Sequence, residues 1–333
     1  MIQSGPSTSA PTRAAAALER GARLAVLAPS VHNTQPWVLE LHDDRLAVRA
    51  DRSRQLTVLD PTGRELVQSV GAALFNIRVG LAAAGWDADV DRCPDPADPD
   101  LLAVVRCGTP SPDSGLAALA PAVPRRRTNR RAFLPGELPD GLLRSLAAGA
   151  AEEGALLVPV LRDVHRRLLA RLTQQADRLQ NADTGYRAEL RRWTTRRPED
   201  RDGVPATAVP LVDGLQHDDL PLRDFDTTGA GGLPAETASG VDGTLLVLAT
   251  RSDDPLAWLE CGEAMQRVLL ELTAQGWAVR PFTQLIEVPL TRTQLRSALA
   301  WDAHPQLILR IGHAEPTPPT PRRRVSEVVL NAR

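Results

Sequence analysis

The stretch Ala28-Pro-Ser-Val-His-Asn-Thr-Gln-Pro-Trp37 sets the reading of the whole chain. An alanine- and leucine-rich run, Ala14 to Leu27, precedes it and has the composition of a helix. Pro29 stops that helix, because proline lacks an amide donor and pushes the residue before it out of helical geometry. A loop of short hydrogen-bonding side chains follows: Ser30, His32, Asn33, Thr34 and Gln35. Pro36 and Trp37 close it, and the alternating run Val38 to His42 begins. Such a loop can offer several donors and acceptors to a flat polar ligand while its flanking elements hold it still. The same residues would also serve a plain helix-to-strand turn that satisfies only local backbone.

Composition narrows the classes of function. The chain has 333 residues, enough for two domains of ordinary size. A net charge of -2 gives no global pull towards nucleic acid, and none is expected as a partner. All 39 basic residues are arginine. A lysine Schiff base is thereby excluded, and any anion site must use guanidinium forks, which bind two oxygens at once. Cys93, Cys107 and Cys261 are scattered and lack CxxC spacing, so they read as buried or incidental thiols in a reducing compartment, with no metal expected. The first residues lack the apolar core of a signal peptide, and no run reaches membrane-spanning length. A soluble, cytoplasmic protein with no membrane partner is expected. Residues 1–11, rich in Ser, Thr, Pro and Gly, are expected to be disordered.

Along the chain, Val38 to Leu41 and Leu46 to Ala50 pair around Asp43-Asp44 as a hairpin. Glu65 to Trp86 is predicted helical, with Leu74, Ile77 and Leu81 on one stripe and Gly85 as its C-terminal glycine. Leu101 to Val105 is a short strand, and the proline-rich link 109–124 separates two halves. Helices are predicted over Asp140 to Ala151 and Val164 to Gln180, continuing as a charged helix from Asn181 to Arg197. The period then fails from Pro198 to Gly240, which is either unstructured or a functional lid. Gly243 to Ala249 and Pro305 to Gly312 are central strands, flanking a second long helix, Leu256 to Gly276. That helix repeats the first: Gly71 to Trp86 and Gly262 to Trp277 align without a gap on their glycine, alanine, leucine and Gly-Trp landmarks.

Pro29-Ser30-x-x-Asn33-x-Gln35-Pro36-Trp37 resembles the P-S-x-x-N-x-Q-P-W signature of flavin-dependent nitroreductases, and the chain over residues 12–333 is similar to their actinobacterial Acg-type branch, in which two nitroreductase-like halves share one chain. The resemblance implies an α+β fold of two tandem halves, 12–120 and 121–333, forming an internal pseudo-dimer. The insert at about 181–240 would then be a lid. It implies that Pro29, Ser30, Asn33 and Gln35 lie against FMN. Five arginines crowd Pro124 to Phe133. Taken alone they could be a solvated basic link, but they resemble the family's Arg-x-Ser-x-Arg/Lys-x-Phe signature, which grips the FMN phosphate and ring edge. Aligned on Phe133, Arg127, Thr128, Asn129 and Arg131 take those places, with Asn129 where serine is usual. Pro281 to Glu287 resembles the segment whose backbone passes flavin N5, giving Leu285, Ile286 and Glu287 that role. Pro321 to Arg324 resembles the arginine pair that closes the phosphate site, here Arg322 and Arg323.

The loop occurs once, in the first half, and the arginine segments only in the second. The expectation is a single FMN at the junction of the halves, in a monomer, with the other pseudo-site empty. Tyr186 and Trp193 are the lid aromatics expected near the ring; plain core packing would equally account for them. Persuasive nucleophilic triads are absent from the sequence, so no protein residue is assigned a catalytic role, and His32 reads as a hydrogen-bonder of the loop. The flavin would carry hydride from NAD(P)H to a flat electron-poor acceptor, a nitroaromatic or a quinone. Two alternatives differ in class: a lid-covered FMN-sequestering protein with little turnover, and a biosynthetic flavin oxidase or dehydrogenase with one dedicated substrate.

Overall fold

The computed structural model describes residues 13–111, 115–134, 136–211, 220–235, 243–299 and 301–331. The disorder expected for residues 1–11 lies outside these, as do the parts of the insert at 212–219 and 236–242.

The architecture is α+β. The first sheet contains β1 (Trp37–Leu41), β2 (Leu46–Ala50), β3 (Trp86–Arg92) and β4 (Leu101–Pro110). The second contains β5 (Leu156–Pro159), β6 (Thr244–Thr250), β7 (Ala278–Phe282) and β8 (His304–Gly312), in the order β5-β6-β8-β7 and antiparallel throughout. The last strand, β9 (Val329–Asn331), does not join the nearer sheet in sequence. It pairs parallel with β1, Leu39 opposite Val329, and completes the first sheet as β3-β4-β2-β1-β9. The C-terminal arm therefore returns to the first half and lays Arg322 and Arg323 beside the loop at 29–35.

The predicted hairpin is β1–β2, with Leu41 opposite Leu46. The predicted helices form α1 (Arg13–Ala25), α2 (Arg64–Ala82), α3 (Asp140–Glu152), α4 (Asp163–Ala182) and, between the two sheets' chains, α6 (Pro255–Ala274). The continuous charged helix expected over 181–197 is broken at Asp183. Its carboxylate accepts from the amides of Gly185 and Tyr186 and starts a separate helix, α5 (Thr184–Thr194). Strand β3 gave no signal that outweighed its aspartates: it is an edge strand with alternating exposure, so apolar residues are needed on one face only.

Helices α2 and α6 cross at the centre, and the crossing is reciprocal. A Cβ on Gly71 would lie 2.1 Å from the carbonyl of Leu259, and a Cβ on Gly262 would lie 2.1 Å from the carbonyl of Gln68. Only glycine admits backbones this close. The same residue spacing separates Gly71 from Gly262 and Gln68 from Leu259, as a two-fold contact between like elements requires. Gly85 and Gly276, the landmarks after each helix, both adopt left-handed φ, 83° and 81°. One apolar core packs α1 and α2 on the first sheet; two more cover the faces of the second, with α3 and α6 on one side and α4 on the other.

Candidate functional site

The loop after α1 is held in an unusual conformation. His32, Asn33 and Gln35 all have positive φ, 45°, 57° and 51°. Left-handed backbone costs a residue bearing a Cβ roughly 1–2 kcal/mol, so other contacts must hold it. Gln35 N donates to Ser30 Oγ at 2.8 Å, and Val31 N to Ser69 Oγ of α2 at 3.1 Å. Asn33 Nδ2 donates to the carbonyls of Gly203 and Pro321, at 2.9 and 3.0 Å, while Asn33 Oδ1 accepts from Arg322 at 2.8 Å. Gln35 Nε2 donates to Arg201 O at 3.0 Å, and its Oε1 accepts from Arg323 N at 2.8 Å. The two amides thus tie the first half, the insert and the C-terminal arm together.

Behind this junction lies a bipartite cleft. Pro29, Ser30, Thr128 and Arg130 line both of its parts. The narrower part, about 730 Å³ with its mouth, is flanked by Arg126, Arg127, Arg322 and Asn33. The larger, about 1020 Å³ with its mouth, is bounded by Glu65 and Gln68 of α2, Met265 of α6, and Thr283 and Gln284 beyond β7. Its remaining wall is the insert: Pro210, Leu222, Arg223 and Phe225.

The narrow part is an uncompensated cluster of positive charge. Arg126 is buried, and among the described residues its Nε and Nη1 have no hydrogen-bond partner; nor does Nε of Arg322. Burial, then the neighbouring Arg322, Arg127 and Arg130, bring the Arg126 guanidinium down to about 9. Burial and Arg280 bring Arg130 to about 10, and burial with Arg127 and Arg130 does the same for Arg322. All three remain protonated at neutral pH. Unpaired charge of this kind is costly without a counter-ion, and a fork of guanidiniums suits a phosphate.

The larger part has a different chemistry. Arg223 is raised: burial lowers it, but the Glu287 carboxylate, to which its Nη2 donates, together with Tyr186 and Glu65 more than offsets burial. Its Nη1 donates to Tyr186 Oη at 2.8 Å. Burial and the nearby Glu287 push Glu65 well above the usual carboxylate range, with Arg64 opposing. His32 is buried, and burial with the cations of Arg223 and Arg130 holds it well below its ordinary value.

The sequence-selected residues distribute as follows. Pro29, Ser30, Asn33, Arg127, Thr128 and Arg322 line the cleft. Gln35 and Arg323 lie behind it as fasteners. Asn129 and Arg131 face away: the Asn129 amide closes on the backbone of Arg131, and Arg131 Nη1 pairs with Glu315 at 3.1 Å. Thr128 bridges in parallel with Val279, so this segment is extended and its side chains alternate. Arg126, Thr128 and Arg130 consequently share the cleft face, Arg127 also borders its narrower part, and of the residues aligned on Phe133 only Asn129 and Arg131 turn away. Leu285 and Ile286 pack in the core, and Glu287 anchors Arg223. Tyr186 and Trp193 pack with Leu56, Leu59 and Leu190 and do not line the cleft. Arg126, Arg130, His32, Arg223 and Glu65 are among the cleft groups left unassigned from sequence. Period-two alternation around the hydroxyl of Thr128 was the available signal for the first two.

No protein-family model matches the chain. It is 40% identical over 312 residues, 92% of its length, to 89% of "Putative NAD(P)H nitroreductase Rv3131" of Mycobacterium tuberculosis. It is 34% identical over 319 residues, 93% of its length, to 94% of "Putative NAD(P)H nitroreductase acg" of the same organism. Among solved structures, an FMN-bound nitroreductase of Desulfitobacterium hafniense aligns with 65% of this chain and 98% of its own, at 14% identity and a TM-score of 0.41. The FMN-dependent nitroreductase NfnB of Mycobacterium smegmatis, in complex with NADPH, aligns at 19% identity and a TM-score of 0.39, covering 65% of this chain and 98% of its own. The chain belongs to the nitroreductase-like family that its Mycobacterium tuberculosis relatives represent.

Proposed function

We propose that the protein is an FMN-dependent NAD(P)H oxidoreductase that reduces a flat electron-poor acceptor, a nitroaromatic or a quinone. The observation that carries this reading is the bipartite cleft: buried, unpaired guanidinium nitrogens at one end and a ring-sized chamber at the other. The residues fit the cofactor. Arg126, Arg127, Arg130 and Arg322 would hold the phosphate, and Pro29, Ser30 and Thr128, which border both parts, would flank the linker and ring. Bound there, FMN supplies the hydride chemistry. The chain binds it, orients it and screens it from water through the insert. The loop and the arginines come from opposite ends of one sequence, which supports a site complete within a monomer. The reciprocal Gly71–Gly262 crossing supports descent of the two halves from one unit.

A second reading, a flavin-sequestering protein with little turnover, is favoured by one feature. The insert wall is fastened by the buried Arg223–Glu287 pair and by Asn33 to Gly203, so access is restricted. One experiment separates them: the visible spectrum of the purified protein, before and after anaerobic NADPH. Bound flavin that bleaches quickly and reoxidises on adding menadione is the expected result. Bound flavin that stays oxidised supports sequestration. No flavin, and none taken up on reconstitution, rejects the cofactor assignment.

A further inference from the structure

The reading above leaves His32 without a task, and its surroundings give it one. The side chain is 6% exposed and lines the larger chamber. Among the described residues, neither Nδ1 nor Nε2 has a hydrogen-bond partner. A buried polar group left unmade costs about 1–3 kcal/mol, and here two such atoms are held in a left-handed backbone that Ser30 and Ser69 brace. The ring cannot swing away readily. The Phe225 ring of the insert meets it edge-on at 5.3 Å between centroids, and the Arg130 guanidinium lies 5.3 Å from that same Phe225 ring.

Cations from two elements packed around the chamber, Arg130 and Arg223, act on His32 directly. Glu65, from α2, also lines the chamber and is pushed towards its neutral form by burial and by Glu287. An added positive charge on the imidazole would face two guanidiniums. The ring is therefore neutral, with one N–H to donate and one lone pair to accept. A neutral imidazole is a poor proton source but a good electrophile towards a carbonyl or nitro oxygen.

We propose that His32 is the specificity-determining residue for the acceptor, selecting flat rings that carry both an oxygen acceptor and a hydroxyl or N–H donor, such as hydroxylated quinones and nitrophenols. The inference rests on the flavin reading for the acceptor's role, but the hydrogen-bonding claim has its own test.

The FMN-saturated protein is titrated calorimetrically with 4-hydroxyacetophenone and with acetophenone, a pair differing by one hydroxyl. Wild type should bind the hydroxylated ketone about tenfold more tightly. His32→Phe should bind the two within about threefold. His32→Asn accepts left-handed backbone more easily and guards against misfolding of the first variant. Its shorter amide draws the donor out of the chamber, so the same levelling is expected. Equal affinities in wild type, or selectivity retained in both variants, overturn the proposal. Loss of FMN from both variants with selectivity unchanged assigns His32 to the cofactor and overturns it too. Failure of wild type to take up FMN instead rejects the flavin reading, and the two ketones then decide the hydrogen-bonding role on that protein directly.

Discussion

Two groups of arginines, one joining α2, α6 and β3 and one flanking the narrow part of the cleft, differ in what balances them. Arg78, Arg92 and Arg267 converge on Glu263 and Glu153. Arg78 Nη1 lies 2.8 Å from Glu263 Oε1, Arg92 Nε 2.6 Å from Glu263 Oε2, and Arg267 Nη1 2.9 Å from Glu153 Oε1. Burial would lower Arg78, but Glu263 and Glu153 more than compensate, and it is raised. Arg126, Arg130 and Arg322 are lowered instead, and none pairs with a carboxylate among the described residues. The first group joins α2, α6 and β3 and completes itself. The second is complete only with something added. Buried charge in this protein therefore has two meanings, and the presence or absence of a carboxylate tells them apart.

The largest expected effect breaks the balanced group. Glu263 is fully buried, so Glu263→Gln strands Arg92 and leaves Arg78 with Glu153 alone, without altering shape. Removing one partner of a buried ion pair costs about 3–5 kcal/mol. Thermal unfolding should show a large drop in Tm, while the FMN dissociation constant of the protein still folded stays near wild type. A coincident loss of FMN affinity would mean that the two groups are coupled through the helices.

Arg126→Met is the mirror experiment. It removes an unbalanced charge, so the cofactor-free protein should gain about 1 kcal/mol. FMN binding should weaken by about 2–3 kcal/mol, as expected when one partner of a buried charge pair is truncated. The signs oppose, and a flavin titration beside a melting curve reads both. The gain has a pH signature. The folded Arg126 sits at about 9, below its ordinary unfolded value, so the unfolded chain holds more protons above pH 9. Wild-type stability recovers the penalty as pH rises through that window, and the advantage of Arg126→Met should shrink there. An advantage constant from pH 7 to 10.5 would show that the guanidinium carries no such penalty.

The same contrast explains what was legible in the sequence. Helices α2 and α6 announced themselves through apolar periodicity and the Gly-Trp repeat, because every landmark there answers to packing. The loop was legible as a pattern because Asn33 and Gln35 each hold two distant segments at once. The facing of Arg126 to Arg131 was not legible. Five arginines in seven positions look alike in either register, and only the pairing of Thr128 with Val279 fixes which ones turn inward. The insert likewise hid Arg223. Its partner Glu287 is 64 residues away, and no local period links the two.

The smallest expected effect tests the unbalanced group without changing the chain. Inorganic phosphate should stabilise the cofactor-free protein, since it supplies the missing counter-charge and nothing else. At tenfold over its dissociation constant the gain is about 1.4 kcal/mol, from the mass-action relation for a ligand that binds only the folded state. Chloride at equal ionic strength is the control, because it screens charge but cannot span two forks. Arg126→Met should lose most of the phosphate effect, and Glu263→Gln should keep it, although it starts from a much lower Tm. Should Arg126→Met respond as wild type does, the anion sits elsewhere, and the unpaired guanidinium of Arg126 would answer to the architecture rather than to a ligand.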